Sequence, residues 1–501
     1  MDILKKLLFL LTRSEKKKAF TLLMMIVLMA LLDMIGVASI LPFITVLTNP
    51  ELIETNQLLN GMFNFSSLFG VENNDQFVFV LGVSVFFLFI LSISFKALTN
   101  YFQIRFVQMM EYSIGKKLVE GYLHQPFTWF LSRNSAEIGK TILSEVDHVT
   151  GKAITPLIDL ISRGIAAFVI IVLLIIVDVK IALIIGLSFF ISYLIIFNYV
   201  KNFLNEIGKK RLKNNEIRFT SINESFGAAK EVKVGGLEEI YINNFSNSAK
   251  IYANSNSTSL IIAQLPRYIL EAIAFGGIFL ILLYMISKTG TFGDALPVVT
   301  LYAFAGYRLM PSMQQIYGSF TQLTFAGPSV NKLYDDLSNL KKLTVNKDSN
   351  KDKELINFNE TISLNDIQYD YPHASRTALK NINLTIPSKS TVGFIGPTGS
   401  GKTTVVDIIL GLLTPQTGNL TIDGDVITDQ NLRSWQSLIG YVPQHIFLSD
   451  DTIASNIAFG VKREEIDNEI VKDVSKIANL HDFVDKELPE KYDTIIGERG
   501  V

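Results

Sequence analysis

A glycine-rich run in the last third of the chain has the residue types and the spacing of a phosphate-binding loop. It matches G-x-x-x-x-G-K-S/T, a pattern in which loop N–H groups and the positive end of the following helix hold phosphate oxygens. Lys402 would contact the β and γ phosphates, and the Thr403 hydroxyl would ligate Mg²⁺. The residues of this run that we predict to contact a nucleotide are Gly396, Pro397, Thr398, Gly399, Ser400, Gly401, Lys402, Thr403 and Thr404.

The flanking segments have the patterns of the elements that must position such a loop. Residues 390–395 predict a buried strand, and residues 402–413 predict a helix. From Thr361 onward, short β-rich runs alternate with Gly and Pro turns and with helical segments, which is typical of an α/β domain. We therefore predict a P-loop α/β domain over residues 361–501, preceded by a helical tail and an exposed linker at 327–360.

The first two thirds of the chain carry six apolar segments long enough to cross a membrane, since a helix needs about 20 residues to cross roughly 30 Å of hydrocarbon. They predict a six-helix, all-α transmembrane domain over residues 1–326. The first segment is too long for a cleavable signal peptide, so we expect it in the mature protein. The segments are Ala19–Leu47, Phe77–Phe102, Ile154–Val177, Ile181–Val200, Ser259–Ile286 and Ala295–Ala326.

The distribution of Lys and Arg between these segments predicts their orientation, because cytoplasmic connections keep an excess of basic residues. Residues 1–18, 104–153 and 201–258 hold 21 of them, whereas the alternate connections hold two. Both termini are therefore expected in the cytoplasm. The connections 104–153 and 201–258 have helix-like composition, which indicates that the membrane helices continue well beyond the bilayer as stalks.

Composition narrows the possible functions. Charged residues make up 18% of the chain and hydrophobic residues 49%, which is more apolar than a soluble domain with about 25% charge. The net charge of -2 does not favour nucleic-acid binding. The absence of cysteine excludes disulfides, thiolate catalysis and Cys-ligated metal centres, and the five histidines have no metal-like spacing.

One connection on the predicted outer side has a helical pattern of its own. Leu58, Met62, Phe65 and Phe69 lie on one helical face. This pattern predicts a short helix at the outer membrane interface, and a loop with buried anchor residues is the alternative.

The order of six membrane helices and then a phosphate loop, with Tyr371-Pro372 before the loop and Ile439-Gly440-Tyr441-Val442-Pro443-Gln444 after it, resembles an ABC exporter half-transporter. The resemblance implies ATP and Mg²⁺ as cofactors, a second half-transporter subunit in a homodimer, and a location in the bacterial inner membrane. It also implies that Tyr371 stacks on adenine, with Tyr369 as a competitor. Gln444 would contact Mg²⁺, unless it is a solvated loop amide.

The motifs of the family extend beyond the residues of this chain. In ABC exporters a Ser-Gly-Gly-Gln signature, a Walker B strand with a catalytic glutamate and a switch histidine follow, and none of them precedes Val501. We therefore assign no catalytic residue in this chain and expect residues 361–501 to be the N-terminal part of an ATP-binding domain. The alternative is a truncated membrane protein that binds ATP without hydrolysing it.

Two stretches between the predicted membrane segments resemble the coupling regions through which ABC exporters contact their ATP-binding domains. They are residues 127–149, which contain Trp129-Phe130 and Arg133-Asn134-Ser135, and residues 226–239, which contain Glu231-Val232-Lys233-Val234. Ordinary solvated connections between helices are the alternative.

Ionisable residues at membrane depth are costly and are functional hypotheses by default. Asp159 and Arg163 have the i,i+4 spacing of a neutralising pair, as do Arg267 and Glu271. Lys96 lies near a helix end and can extend to the interface. The full set is Asp33, Lys96, Asp159, Arg163, Arg267, Glu271 and Arg308.

The segments around Lys96, Arg267 and Arg308 resemble those of the bacterial lipid-linked oligosaccharide flippase (PglK-like) branch of ABC exporters. Three cations around a central cavity would suit the anionic head of an amphipathic substrate, since arginine offers a bidentate fork to phosphate. We therefore expect a flippase for a lipid-linked oligosaccharide. A peptide or drug exporter of the same architecture is the alternative.

Overall fold

The chain divides into two compact units, Met1–Asp348 and Ser349–Val501. The boundary lies within the segment 327–360. The first unit is helical, and the second contains β-sheet. The computed structural model of the protein describes residues 2–68, 70–177, 179–268, 292–343, 356–372, 374, 376–444 and 446–497, with the single positions 271, 272, 276, 279, 280 and 283.

Three long helices dominate the first unit. Asn74–Leu123, Val179–Gly227 and Phe292–Leu343 contain 50, 49 and 52 residues. At 1.5 Å per residue each is about 75 Å long, more than twice the thickness of the hydrocarbon layer. The predicted continuation of the helices beyond the length of a membrane span is therefore confirmed. The parts beyond the predicted spans, residues 104–153, 201–258 and 327–343, are called the stalk below.

Shorter helices complete the described part of the first unit. Two of the turns before the third predicted span are π-helical, at Thr141–Glu145 and Thr150–Ile154. The α-helices are Asp2–Leu10, Arg13–Ala38, Ile40–Thr48, Leu52–Thr55, Gln57–Ser67, Phe127–Leu131, Ser135–Lys140, Val146–Val149, Thr155–Val177, Ala229–Gly235 and Glu238–Gln264.

Three described helical stretches are long and apolar enough to cross a membrane, and they cover the first three predicted spans. They are Arg13–Thr48, Asn74–Leu123 and Ser135–Ile176. The fourth predicted span lies inside the helix Val179–Gly227, and the sixth lies inside Phe292–Leu343. Much of the fifth falls outside the described residues. The number of six spans therefore stays a prediction.

The outer connection between the first two predicted spans folds into the helices Leu52–Thr55 and Gln57–Ser67. Met62 and Phe65 are both exposed on the second of them. The predicted short helix is confirmed over this range. Phe69 and the side chain of Leu58 lie outside the described part of the chain.

The stalk is held together by apolar stripes at helical spacing. Residues three and four apart lie on one face of a helix, so each stripe forms a single apolar face that can pack against another helix. The stripes of Asn74–Leu123 and Phe292–Leu343 meet in one buried cluster, to which the first helix, Asp2–Leu10, adds Leu7 and Leu10. The two stripes are Val107, Met110, Ile114 and Leu118, and Leu323, Ala326, Val330, Leu333 and Leu340.

Two long helices touch backbone to backbone at Gly208. A Cβ atom at this position would lie 2.3 Å from the carbonyl oxygen of Phe325 and 3.4 Å from the ring of Pro328. Since real Cβ atoms cannot approach a carbonyl oxygen so closely, only glycine allows Val179–Gly227 and Phe292–Leu343 to pack at this distance.

The second unit contains a four-stranded antiparallel sheet in the order β2-β1-β3-β4. Strands β5 and β6 pair separately. The strands are β1 Thr361–Tyr369, β2 Leu379–Pro387, β3 Thr417–Ile422, β4 Asp425–Val426, β5 Asp451–Thr452 and β6 Ile495–Ile496. The α-helices are Lys402–Ile409, Leu432–Gln436, Ile453–Ile457, Asn468–Ile477 and His481–Glu487, and 3₁₀ turns lie at Arg463–Glu465 and Lys491–Asp493.

The strand predicted immediately before the phosphate loop is absent. Residues 391–397 have no regular secondary structure, and Ile395 is fully exposed although it was expected in the core. A strand exists only where neighbouring strands accept and donate its ladder hydrogen bonds. Among the described strands of this chain, none pairs with 390–395. The prediction of a buried strand here is therefore wrong for this structure.

Candidate functional site

The phosphate loop has the backbone conformation that its glycines predict. Gly399 and Gly401 have φ values of +79° and +89°, which side chains rarely adopt. A Cβ at Gly401 would also lie 2.6 Å from Leu379 Cδ2 and 3.0 Å from the carbonyl oxygen of Ala378. The loop is thus packed against the start of β2, and glycine is required at its end.

The helix Lys402–Ile409 begins directly after this glycine. The Lys402 ammonium lies over the loop, where it donates hydrogen bonds to the carbonyl oxygens of Gly396 at 2.7 Å and Pro397 at 2.9 Å. A phosphate oxygen is a fully charged acceptor and a stronger partner for the same ammonium. The loop, the helix start and the lysine are therefore arranged as phosphate binding requires.

The two threonines after Lys402 have different surroundings. Thr404 is buried, and its hydroxyl hydrogen-bonds the Tyr371 hydroxyl at 3.0 Å. Thr403 is exposed in the first turn of the helix. Thr403 is thus the hydroxyl that can reach a metal ion, while the side chain of Thr404 attaches Tyr371 to the phosphate helix.

Of the two candidate adenine-stacking rings, only one has a free face. Tyr369 is 2% exposed in the core of the sheet. Tyr371 is partly exposed, and its ring meets that of Tyr369 edge to face with centroids 5.0 Å apart. The geometry thus favours Tyr371 over Tyr369 as the residue that meets an adenine ring.

Gln444 lies in an exposed segment without regular secondary structure. In the part of the chain that the structure describes, no hydrogen bond joins it to the phosphate loop. Its contact with Mg²⁺ stays a prediction. The described residues also contain no group of three His, Asp or Glu side chains that could hold a metal. A Mg²⁺ ion here would depend on hydroxyl, amide and nucleotide oxygens, which suits the few protein ligands that Mg²⁺ takes beside phosphates.

Sequence reasoning missed two residues that fix the far end of the phosphate helix. The buried Trp435 donates its indole N–H to the carbonyl oxygen of Ile409 at 2.7 Å, and Gln436 donates to that of Leu410 at 3.1 Å. These bonds satisfy carbonyl groups that the end of a helix leaves without partners. The signal in the sequence was the single tryptophan of this unit, in an otherwise polar segment.

Two acidic residues in the predicted spans, Asp33 and Asp159, accept hydrogen bonds from neutral donors. Asp33 accepts a hydrogen bond of 2.6 Å from Ser92. Asp159 accepts from Gln103 at 2.6 Å and from Gln315 at 3.0 Å, and in the described part of the chain no ion pair joins it to Arg163. Amide donors from two other helices therefore replace the predicted pairing.

The three proposed substrate-binding cations are described to different extents. Arg267 forms the expected ion pair with Glu271, at 2.8 Å, and remains about half exposed. Lys96 is partly buried. The side chain of Arg308 lies outside the described residues. A common cavity for the three thus stays a prediction.

Both predicted coupling regions form short helices at the ends of long ones. In the first, Trp129 stacks on Tyr122 with centroids 5.1 Å apart, and Arg133 lies over the Trp129 ring at 5.0 Å and 3.6 Å from Asp336. In the second, the helix Ala229–Gly235 leaves Val234 91% exposed. The first region is thus fixed to the helices Asn74–Leu123 and Phe292–Leu343. The second presents an apolar side chain to its surroundings.

The fold and the site together define a membrane protein that binds ATP. Residues 19–309 match the family described as ABC transporter transmembrane region, and residues 379–497 match the family described as ABC transporter. The first match covers more than half of the chain. The chain belongs to the ABC transporters, as a half-transporter in which a transmembrane domain is fused to an ATP-binding domain.

Individual relatives agree with this assignment. The ABC transporter ATP-binding protein y4gM of Sinorhizobium fredii is 37% identical over 140 residues, 28% of this chain and only 23% of that protein's own length. An ATP-dependent lipid A-core flippase of Francisella tularensis is 25% identical over 457 residues, 88% of this chain and 72% of the flippase. The structure of a bacterial Atm1-family ABC exporter with ATP bound has the same fold, with a TM-score of 0.67 at 19% identity over 97% of this chain and 80% of that one.

Proposed function

We propose that the protein is an ATP-driven ABC exporter that flips an amphipathic anionic substrate, and that a lipid-linked oligosaccharide fits this role best. The observation that carries the proposal is the phosphate loop. Gly399 and Gly401 have the backbone conformation that phosphate binding needs, and Lys402 donates hydrogen bonds to loop carbonyl oxygens. The flippase among the relatives, which acts on lipid A-core, supports a lipid substrate with a polar head.

In the nucleotide site, the loop and Lys402 hold the phosphates, and Tyr371 stacks on the adenine. Thr403 and Gln444 contact the Mg²⁺ ion. The bound Mg²⁺ supplies positive charge that neutralises the phosphates. The exposed hydroxyl of Thr403 and the partly exposed ring of Tyr371 support these roles.

The working unit is a homodimer in the bacterial inner membrane, with both termini in the cytoplasm. In a two-fold symmetric dimer, residues of the partner subunit would complete each ATP site. The excess of Lys and Arg in residues 1–18, 104–153 and 201–258 supports the orientation.

The substrate head would bind Lys96, Arg267 and Arg308. Glu271 already neutralises Arg267, so an anionic head must compete with this carboxylate for the guanidinium. This competition offers a direct test. Removing the carboxylate of Glu271 leaves the Arg267 guanidinium in place and makes it available to the substrate.

The test uses the full-length protein in proteoliposomes with a lipid-linked oligosaccharide, and flipping, ATPase rate and folded yield are measured together. Arg267→Ala and Arg308→Ala should abolish flipping while basal ATP hydrolysis is retained. Glu271→Gln is the matched control, and it should keep or increase flipping.

Normal flipping by both arginine variants would reject the substrate site. No flipping by the parent protein would favour a peptide or drug exporter, which a substrate-stimulated ATPase screen would identify. Equal losses of folded yield in Arg267→Ala and Glu271→Gln would make the pair structural. An absence of ATP hydrolysis in the full-length protein would instead favour an ATP-binding protein that does not transport by hydrolysis.

A further inference from the structure

A cavity of about 370 Å³ lies in the first unit, at the border between the stalk and the predicted spans. It is lined by residues from 144–152 and from the helices Val179–Gly227, Glu238–Gln264 and Phe292–Leu343. This volume is within the range of small-molecule sites. Its polar lining includes Lys152, His148, Arg211, Tyr252, Asn256 and Gln322.

The backbone on one wall of the cavity departs from the α-helix. The π-helical segments Thr141–Glu145 and Thr150–Ile154 lie on either side of His148. Such wide turns are rare and occur frequently at functional sites. Gly151 also lines the cavity, and a Cβ atom there would meet no atom within 4 Å. The wall therefore has room for a ligand beside His148 and Lys152.

Two buried side chains on this wall have polar atoms without partners. His148 is 7% exposed, and within the described part of the chain neither of its ring nitrogens has a hydrogen-bond partner. Arg211 is 1% exposed, and its Nε is likewise unpaired among the described residues. Buried polar groups are normally hydrogen-bonded, so both point to a polar occupant.

Among the charged residues that line the cavity, Lys152 is the cation that can pair with an anionic occupant. Arg211 is neutralised by Glu145, whose carboxylate lies 2.6 Å away and is as deeply buried. Lys152 is partly buried, and no ion pair is found for it among the described residues. Asp147, the other charged lining residue, is exposed, so solvent screens its charge more strongly.

We propose that this cavity binds a small molecule through a phosphate or carboxylate group. Lys152 supplies the counter-charge, and His148 and the Nε of Arg211 donate hydrogen bonds. The site is distinct from the phosphate loop and from the proposed substrate cations. It goes beyond the proposed function, because binding here requires neither ATP nor transport.

The protonation state of His148 agrees with this arrangement. Burial, followed by the charges of Arg211 and Lys152, lowers the pKa of His148 to about 3. The ring is therefore neutral at physiological pH, with one nitrogen that donates and one that accepts. A bound anion would raise this pKa, since an opposite charge stabilises the imidazolium form.

The experiment uses the full-length protein carrying Lys402→Ala, so that phosphate cannot bind the loop. The protein is placed in nanodiscs of phosphatidylcholine, and binding of inorganic phosphate and of citrate is measured by calorimetry, with glucose as a neutral probe. Saturable binding of phosphate or citrate and no binding of glucose is expected. A second set of nanodiscs contains phosphatidylglycerol, and a thermal stabilisation by that lipid would identify a lipid headgroup as the source of the anion.

Lys152→Gln should weaken the binding of the anion about tenfold, because it removes a charge-assisted hydrogen bond. Gly151→Leu should abolish binding by filling the open space. Lys213→Gln is the matched control, since Lys213 is exposed on the helix of Arg211 and does not line the cavity. Binding that is unchanged in Lys152→Gln, or no binding of any anion and no stabilisation by phosphatidylglycerol, would overturn the proposal and leave a cavity filled by water alone.

Discussion

The stalk of the membrane domain and the segments around the phosphate loop differ in how their side chains are covered. In the stalk, even charged groups are buried with partners, as with Arg211 and Glu145. In the ATP-binding domain, apolar side chains beside the loop are open, with Ile395 at 100%, Val442 at 87% and Phe447 at 69% exposure. The stalk thus pairs its buried charges with its own residues, although it also exposes apolar side chains such as Val234. The segments around the loop leave the apolar side chains beside the nucleotide site exposed.

The difference follows from how each kind of element satisfies its backbone. A helix pairs its own N–H and C=O groups, so long helices form from local sequence and pack by their apolar faces. A strand needs neighbours. The phosphate loop nevertheless keeps its conformation, because its glycine φ values and the Lys402 hydrogen bonds are local.

The largest expected effect comes from breaking the buried pair in the stalk. Arg211→Met would leave Glu145 buried without its cation, which should destabilise the membrane domain by about 3–5 kcal/mol. The double variant Arg211→Met with Glu145→Leu should recover most of this loss. Thermal unfolding followed by the fluorescence of Trp129, with Trp435→Phe in every protein compared, checks both variants. A single variant as stable as the parent would contradict the account of a buried, coupled pair.

A smaller loss is expected where the two long helices touch. Gly208→Ala places a Cβ against the Phe325 carbonyl oxygen, and the forced separation of the helices should cost roughly 1–3 kcal/mol. Gly115→Ala is the matched control, since a Cβ there meets no atom within 4 Å. That change should stabilise its helix by about 0.5–1 kcal/mol. The same unfolding assay compares the two alanine variants, and equal effects would mean that the close approach is not required.

The buried histidine predicts a dependence on pH. Because the pKa of His148 is lowered to about 3 in the folded protein and is near 6.5 when unfolded, the unfolded chain binds the extra proton between these values. Stability should therefore fall as the pH drops from about 6.5 toward 3, by at most about 1.4 kcal/mol per pH unit. In His148→Gln this part of the slope should vanish. Unfolding of the parent and of His148→Gln at a series of pH values from 7 to 5 measures the two slopes. Identical slopes for the two proteins would show that His148 does not have a lowered pKa.

The smallest effect concerns the ATP-binding domain. Trp435→Phe keeps an aromatic ring but removes the indole N–H, which leaves the Ile409 carbonyl without its donor. The lost hydrogen bond should cost at least about 1 kcal/mol of that domain's stability. Differential scanning calorimetry of the unfolding of the ATP-binding domain measures the change. Gln430→Ala, an exposed side chain just before the same short helix, is the control and should have little effect. If the two variants behave alike, the indole hydrogen bond does not hold the phosphate helix.

The elements that could be predicted from the sequence are those that depend on residues close together in the chain. The long helices follow from apolar periodicity, and the loop follows from its glycines and Lys402. The strand at 390–395 could not be judged from its own residues, because its existence depends on pairing partners. The amide donors to Asp159 and the contact of Gly208 with Phe325 also escaped prediction, since they join residues more than 100 positions apart or on different helices.

The central claim is that the loop at residues 396–404 is an ATP phosphate site, and equilibrium binding of Mg²⁺-ATP to the purified protein tests it most directly. Lys402→Ala should weaken binding by about tenfold or more, because a charge-assisted contact to the phosphates is lost. Lys380→Ala, an exposed lysine on β2, should bind as the parent does. Equal affinity of the parent and the Lys402→Ala protein for Mg²⁺-ATP would contradict the assignment.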